Sequence, residues 1–284
     1  MMRTLSTYVF VKRRLTPALL VDMAQHGIGA VEIFCARSHF NYQSPDVVRE
    51  IAGALRDHNL QLHALHAPAE RDFNPMHESS APLSICDPER VRRLEAVDEI
   101  KRALDVAEYM PFRYLVQHMG SSRDTPDERR FDAAFSSLEH LRVFAKERGV
   151  TLALENTPGE LATPTHLRQF IIDTRLADLR LCFDIGHANI GDGVLASLEP
   201  MREFLVTSHI HDNHGLKDEH LLPYEGTIEW KSALPALPHE LPLVFELKEK
   251  PAYADPAPAS VALSAARSVF DRIERALASP EGEN

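Results

Sequence analysis

The stretch VTSHIHDNHGLKDEHLLPYEGTIEW, residues Val206–Trp230, begins as an apolar run and continues into a dense group of imidazoles and carboxylates. Side chains alternate between the two faces of a strand, so His209 and His211 share a face, and Asp218 and His220 are also two residues apart. Imidazole and carboxylate are ligands that divalent transition metals prefer. A solvated polar loop is the alternative, which the density of the cluster disfavours. The stretch therefore predicts a strand whose end binds a metal ion.

Apolar runs of strand length recur along the whole chain, separated by longer amphipathic patterns. The eight predicted strands are Thr7–Val11, Ala30–Cys35, Gln61–His66, Tyr114–His118, Thr151–Glu155, Leu179–Asp184, Val206–His211 and Leu243–Leu247. Runs such as LALE, LCFD and LVFE are apolar at nearly every position, as parallel strands buried on both faces are. Strand followed by helix, eight times over, predicts an α/β protein with a closed (β/α)₈ TIM barrel.

A doubly wound open sheet is the alternative fold, but no glycine-rich GxGxxG turn follows the first predicted strand. We expect a single domain over residues 1–284, with a core from about residue 5 to residue 278 and a flexible tail at 279–284. The long segment Ala67–Cys86 follows the third strand and has many helix breakers, so we interpret it as an active-site loop.

A capping residue followed by proline recurs where helices are expected to begin. The five pairs are Thr16–Pro17, Ser44–Pro45, Asp87–Pro88, Thr125–Pro126 and Thr163–Pro164. Proline fits the first helical position because no partner for its missing amide is needed there, and the preceding oxygen can accept from free amides. Glu128, three residues after Thr125, predicts a capping box.

The composition excludes some classes of partner and location. The formal net charge is -11 and the pI is about 5.7, which argues against a nucleic-acid partner and an anionic membrane. The three cysteines are far apart and form no CxxC motif, so we expect free or buried thiols in a reducing compartment. No targeting segment is visible, and we expect a cytoplasmic protein. The sequence is compatible with a homo-oligomer without predicting one.

Six consecutive predicted strands end in a potential metal ligand. These residues are His66, His118, Glu155, Asp184 with His187 just beyond, His209 with His211, and Glu246. A single histidine such as His63 is more often a hydrogen-bonded core residue. Because parallel strands bring their carboxyl ends to one rim of a barrel, the set as a whole predicts a metal site there.

The motifs ALENTP, CFDIGHAN, HIHDN, DEH and YEGTIEW resemble those of the xylose-isomerase-like TIM-barrel superfamily, which includes sugar isomerases and epimerases and endonuclease IV. The resemblance extends from His66 to Glu246. It is specific for the superfamily and less specific for the reaction.

The isomerase and epimerase branch implies one divalent ion, Zn²⁺ or Mn²⁺ first, with Mg²⁺, Co²⁺ or Fe²⁺ as alternatives. The resemblance places its ligands at Glu155, Asp184, His209 and Glu246. It also implies that the two glutamates are catalytic and move protons through a metal-stabilised enediolate. Strand alternation leaves His209 and His211 open as the ligand from strand seven, and the resemblance favours His209. The further candidates for substrate binding are His187, His66, His118, His211 and Lys248.

The endonuclease branch implies three zinc ions and cleavage of a phosphodiester at abasic DNA. Its additional ligands fall on His66, His118, His187, Asp218 and His220, all present here. Against it, the loop after strand two is short, although Arg37, Phe40 and Tyr42 could stack on bases; Tyr42 and His39 could instead bind substrate hydroxyls. A third hypothesis is a metal-binding barrel without turnover, which the two glutamates disfavour. We predict an isomerase or epimerase acting on a sugar, a sugar phosphate or a polyol-derived ketone.

Overall fold

The computed structural model describes residues 1–71, 82–121, 124–249 and 258–278. Within them, eight parallel strands pair in chain order, and β8 pairs with β1 to close a barrel. The strands are β1 Thr4–Ser6, β2 Ala30–Phe34, β3 Gln61–His66, β4 Tyr114–His118, β5 Thr151–Glu155, β6 Arg180–Asp184, β7 Leu205–Ile210 and β8 Leu243–Phe245. The predicted (β/α)₈ barrel is confirmed. The expected flexible tail, 279–284, lies outside the described residues.

Helices surround the barrel. Those in the described residues are α1 Pro17–Gln25, α2 Pro45–Asp57, α3 Arg90–Leu104, α4 Glu128–Lys146, α5 Pro164–Thr174, α6 Ile185–Ile190, α7 Val194–Met201, α8 Trp230–Ala236 and α9 Ala259–Ala278. Short 3₁₀ helices span Thr7–Phe10, Asp105–Glu108 and Arg202–Phe204. No helix in the described part of the chain is long and apolar enough to cross a membrane.

The first strand differs from the prediction. Residues Thr7–Phe10 form a 3₁₀ helix, and β1 is the shorter segment Thr4–Ser6. The apolar run is buried as a 3₁₀ turn and does not pair as a strand. The hydroxyl of Ser6 accepts from the amide of Tyr8 at 3.4 Å and so caps the start of this turn. High strand propensity in the run was therefore overridden by local capping and by packing.

Two of the five predicted helix starts were confirmed in full. The hydroxyls of Thr16 and Thr163 accept from backbone amides three residues later, each at 3.3 Å. At Ser44 the helix begins at the following proline as predicted, but the serine side chain makes no capping hydrogen bond.

The predictions at Asp87–Pro88 and Thr125–Pro126 were wrong. Helices α3 and α4 begin two residues later than expected. The side chain of Asp87 accepts from the amide of Glu89 at 2.8 Å, which makes a turn before the helix. Asp127 caps α4 by accepting from Arg130 at 2.9 Å, in place of the capping box predicted at Thr125.

The described ends of the predicted loop Ala67–Cys86 approach each other. An isolated antiparallel bridge joins Glu70 to Pro82, and residues 72–81 lie outside the described residues. Cys35, Cys86 and Cys182 are buried free thiols, as the sequence indicated.

Candidate metal centre

A cavity of about 180 Å³ opens among the carboxyl ends of the strands. Its lining includes Glu155 from the end of β5 and Glu246 directly after β8, together with His66, His118, His187, Asp218 and His220. The parallel pairing places these strand ends at one rim, where barrel enzymes keep their chemistry. The convergence that the sequence predicted is thus present in the fold.

Four buried residues form the tightest group, which we call the quartet: Glu155, Asp184, His209 and Glu246. Their potential ligand atoms all lie within 4.8 Å of one another. Nδ1 of His209 is 3.2 Å from Oε1 of Glu155 and 3.3 Å from Oε2 of Glu246. It is 3.6 Å from Oδ2 of Asp184. These separations match the edge of about 3.4 Å expected for ligands that lie about 2.1 Å from a tetrahedral ion.

Glu32 fixes the orientation of His209, and sequence reasoning missed it. Nε2 of His209 donates to Oε2 of Glu32 at 3.2 Å, and both side chains are 0% exposed. Nδ1 of the same ring is buried and has no hydrogen-bond partner among the described atoms. A carboxylate behind an imidazole is the usual support of a metal-bound histidine. The only sequence signal for Glu32 is a lone acid inside the apolar strand AVEIF.

A second group shares Glu155 with the quartet. Nε2 of His66 lies 3.3 Å and Nε2 of His118 lies 3.1 Å from Oε2 of Glu155. Nδ1 of His66 donates to the carbonyl of Ala67 at 2.8 Å. Phe34 stacks on His66 with ring centroids 4.7 Å apart, so this imidazole is held on two sides.

A third group extends along the rim from Asp184. Nε2 of His211 is 3.1 Å from Asp184. Asp218 lies 3.2 Å from Nε2 of His187 and 2.9 Å from Nε2 of His220. The third group contains two overlapping sets, Asp184 with His187 and His211, and His211 with Asp218 and His220. Like the quartet and the second group, each set has the donor types and spacing of a metal site.

Glycine at position 186 is required by the close approach of His211. A Cβ added there would lie 1.9 Å from Cε1 and 2.3 Å from Nδ1 of the imidazole. The glycine of the sequence motif DIGH therefore makes room for the ring beside Asp184.

The buried acids and imidazoles shift one another's proton affinity. Burial raises the pKa of Glu155, but His209 and His118 outweigh it and hold that pKa well below its usual range. Burial likewise opposes ionisation of Asp184, yet His187 and His211 lower its pKa. In the opposite direction, burial lowers the pKa of His187, and the charge of Asp184 raises it well above normal. Carboxylates buried this deeply require compensating positive charge, from imidazolium or from a bound cation.

Four of the candidate site residues lie elsewhere: Lys248, Phe40, Tyr42 and His39. Lys248 is exposed and does not line the cavity. Phe40 is 0% exposed, and Tyr42 is buried with its hydroxyl donating to Glu99 at 2.6 Å, so neither can stack on a base as suggested. His39 is also buried and bonds to the carbonyl of Arg13, which removes it from substrate binding.

Asp212, inside the dense run after β7, shapes the loop. Its carboxylate accepts from Nε1 of Trp230 at 2.8 Å and from the amides of Tyr224 and Ile228 at 3.0 and 3.2 Å. This carboxylate is therefore saturated by donors, and it holds the loop that presents Asp218.

Comparisons with known proteins identify the family of this chain. The family described as xylose isomerase-like TIM barrel matches residues 20–267. An uncharacterized protein of Methanocaldococcus jannaschii, MJ1311, is 31% identical over 242 residues, covering 82% of this chain and 78% of that protein. A probable endonuclease 4 of Natronomonas pharaonis is 25% identical over 229 residues, covering 72% of this chain and 78% of its own.

Among solved structures, a D-tagatose 3-epimerase-like protein superposes with a TM-score of 0.76 at 24% identity, covering 98% of this chain and 100% of its own. At this identity the likeness shows a shared fold. The match over residues 20–267 goes further, because it covers strands β2 to β8 and all four residues of the quartet. The chain therefore belongs to the xylose isomerase-like TIM barrel family.

Proposed function

We propose that this protein is a divalent-metal-dependent isomerase or epimerase of a small hydroxy-carbonyl compound such as a sugar, a sugar phosphate or a polyol-derived ketone. One observation carries the proposal: the partnerless Nδ1 of buried His209 faces three carboxylates at 3.2 to 3.6 Å. A lone pair directed at three carboxylates is repelled unless a proton or a cation lies between them. Zn²⁺ and Mn²⁺ suit the mixed imidazole and carboxylate donors.

The two glutamates have the placement that proton transfer requires. Glu155 and Glu246 come from β5 and from the residue after β8, and both line the cavity. A bound divalent ion would act as a Lewis acid that makes a neighbouring C–H more acidic. Glu155 would then remove a proton from one face of the substrate carbon, and Glu246 would return one to the opposite face or to the adjacent carbon. The imidazoles of His66, His118 and His187 would bind substrate hydroxyls.

The size of the cavity favours a small substrate. A volume of about 180 Å³ lies below the ~300–1,000 Å³ of pockets that hold drug-sized ligands. Family membership and the fold shared with a D-tagatose 3-epimerase-like protein support a sugar-like molecule as this substrate.

Solvent hydrogen exchange tests the proposal directly. Ketopentoses, ketohexoses and their phosphates are incubated with metal-loaded protein in D₂O, and deuterium at carbon is followed by NMR. Glu155→Gln and Glu246→Gln should each abolish the exchange seen with the unchanged protein. Glu99→Gln removes a buried carboxylate away from the quartet and should leave exchange intact. Exchange that persists in both site variants would refute the proton-transfer roles.

A second candidate function is phosphodiester hydrolysis at abasic DNA by several zinc ions. It is favoured by three further imidazoles, because the hydrogen bonds of each ring fix which nitrogen carries the proton. Nδ1 of His66, His187 and His220 each donates to a backbone carbonyl, at 2.8, 2.9 and 3.0 Å. A carbonyl only accepts, so the neutral form of each ring presents its Nε2 lone pair to a carboxylate. A lone pair and a carboxylate that face each other repel, and a cation between them would remove this repulsion, as in a site with several metal ions.

Metal content and DNA cleavage separate the two candidates. The proposed isomerase chemistry uses one tightly held ion per chain, in the quartet, whereas the resemblance to the endonuclease branch implies three. Cleavage of an abasic duplex that chelator abolishes, with about three ions per chain, would favour the hydrolase. Absence of cleavage by protein loaded with zinc would remove it.

A further inference from the structure

A second cavity, of about 310 Å³, lies at the opposite end of the barrel from the metal centre. Its wall is built where strands begin: Tyr114, Thr151 and Arg180 are the first residues of β4, β5 and β6. Arg142 and Lys146, in the last turns of α4, complete one side. None of these residues belongs to the quartet or to the groups that extend from it.

The lining of this cavity is cationic in a chain whose formal net charge is -11. Arg113, Arg142, Lys146 and Arg180 face one carboxylate, that of Asp178. Asp178 is paired with Arg142 at 2.8 Å. Within the part of the chain that the structure describes, no carboxylate pairs with the other three cations, so their charge is uncompensated.

Arg113 and Arg180 are held in place by their surroundings, and Arg142 has a buried donor without an acceptor among the described residues. The guanidinium carbon of Arg113 lies 5.2 Å from the ring centroid of Tyr114, which positions its planar group beside the cavity. Nε of Arg142 is buried and has no acceptor among the described residues. Arg180 has a structural role as well, because its Nη1 donates to the carbonyls of Ala177 and Leu179 at 2.8 and 2.7 Å.

We propose that this cavity is a binding site for a small, multiply charged anion of the phosphate class, such as a phosphate ester. Clustered cations around a concave surface attract such an anion, and guanidinium groups match the geometry of phosphate oxygens. A nucleic acid is disfavoured because the site is a small cavity on a strongly acidic chain. The site is independent of the proposed isomerase activity.

The test is calorimetric titration of metal-stripped protein with inorganic phosphate and pyrophosphate at constant ionic strength. Chelator is present so that no metal ion binds the anion. Arg113→Gln and Lys146→Gln should each weaken binding about tenfold, as expected for loss of one charge-assisted contact. Arg129→Gln removes an exposed cation from the same helix, α4, outside the cavity lining, and should leave affinity unchanged. Both cavity variants alter exposed side chains, and thermal unfolding checks that they fold.

Three outcomes would overturn the proposal. In the first, the protein shows no saturable binding of phosphate at concentrations on the order of 10 mM. In the second, Arg129→Gln loses as much phosphate affinity as the two cavity variants. In the third, a double variant, Arg113→Gln with Lys146→Gln, binds phosphate as tightly as the unchanged protein. Tighter binding of duplex DNA than of pyrophosphate, lost in the same double variant, would also reject a small-anion site. Binding retained in Glu155→Gln but lost in the double variant would support it.

Discussion

Replacing Glu32 by glutamine should weaken metal binding without unfolding the protein. Glutamine keeps the size of the side chain, and its carbonyl can still accept from Nε2 of His209, which donates to Glu32 at 3.2 Å in a fully buried contact. What is lost is the negative charge that makes the imidazole a better ligand. A charge-assisted hydrogen bond contributes about 1.5–3 kcal/mol and is roughly twice as strong as a neutral one, so about half is lost. We expect about tenfold weaker affinity, the lower end of the ~10–100-fold usual for such partners.

Competition with a chromophoric chelator for Zn²⁺ or Mn²⁺ measures this effect. Glu99→Gln is the matched control, because Glu99 is also a buried acid but bonds to Tyr42 and Gln43 and does not contact the quartet. Both variants remove one negative charge from the chain, so any general effect of net charge is shared. Unchanged affinity in Glu32→Gln, or an equal loss in Glu99→Gln, would refute the argument that Glu32 tunes His209.

Two further predictions concern stability without metal. Gly186→Ala should lower the free energy of unfolding by about 1–3 kcal/mol, because its Cβ would meet His211 at 1.9 Å. Gly53→Ala, in α2 with nothing within 4 Å of its Cβ, should raise the free energy of unfolding by up to about 1 kcal/mol. Denaturant unfolding curves that show no difference between the two variants would contradict this packing. Stability should also fall at alkaline pH: burial lowers the pKa of His220, but the hydrogen bond to Asp218 outweighs it and raises that pKa from 6.5 to about 9. Because the folded pKa exceeds the unfolded one, this contribution is complete below about pH 6.5 and is lost as pH rises through about 9. His220→Gln should flatten part of this decline in unfolding measured with chelator, and an unaltered pH profile would count against the ion pair.

Strand and ligand patterns made most of the barrel predictable. The bounds of β3, β4 and β5 agree with the prediction because each run is mostly apolar and ends at a candidate ligand, His66, His118 or Glu155. The first strand was misplaced because the apolar run Tyr8–Val11 has strand composition, whereas the pairing strand TLS is short and polar. Periodicity reports burial, and burial inside a 3₁₀ turn gives the same signal as burial in a strand.

The support of the site was less predictable than its ligands. Glu32 and Asp212 are acids of the same type as the quartet, yet one lies behind His209 and the other anchors Trp230. Residue type and spacing do not distinguish a carboxylate that faces the cavity from one saturated by donors, because the difference depends on which side chains from other strands point at it. His209 and His211 illustrate the same limit: alternation allows both on one face, and only the closed barrel shows that Nδ1 of His209 faces three carboxylates.

The shared carboxylates decide how the groups of the metal centre depend on one another. Oε1 of Glu155 faces His209, while Oε2 faces His66 and His118. With one ion in the quartet, Oε2 needs a donor, which Nε2 of His118 at 3.1 Å can supply. His66 can donate to it only as an imidazolium, because its Nδ1 proton already goes to the carbonyl of Ala67. Holding that charge in a buried ring opposes the role of Glu155 as a base, since the nearby positive charge lowers its proton affinity. A cation bound by His66, His118 and Oε2 needs no such proton but likewise occupies Glu155. The protonation state of His66 thus links the number of ions to the ability of Glu155 to accept a proton, because Nε2 of this ring can bind a cation only in the neutral form.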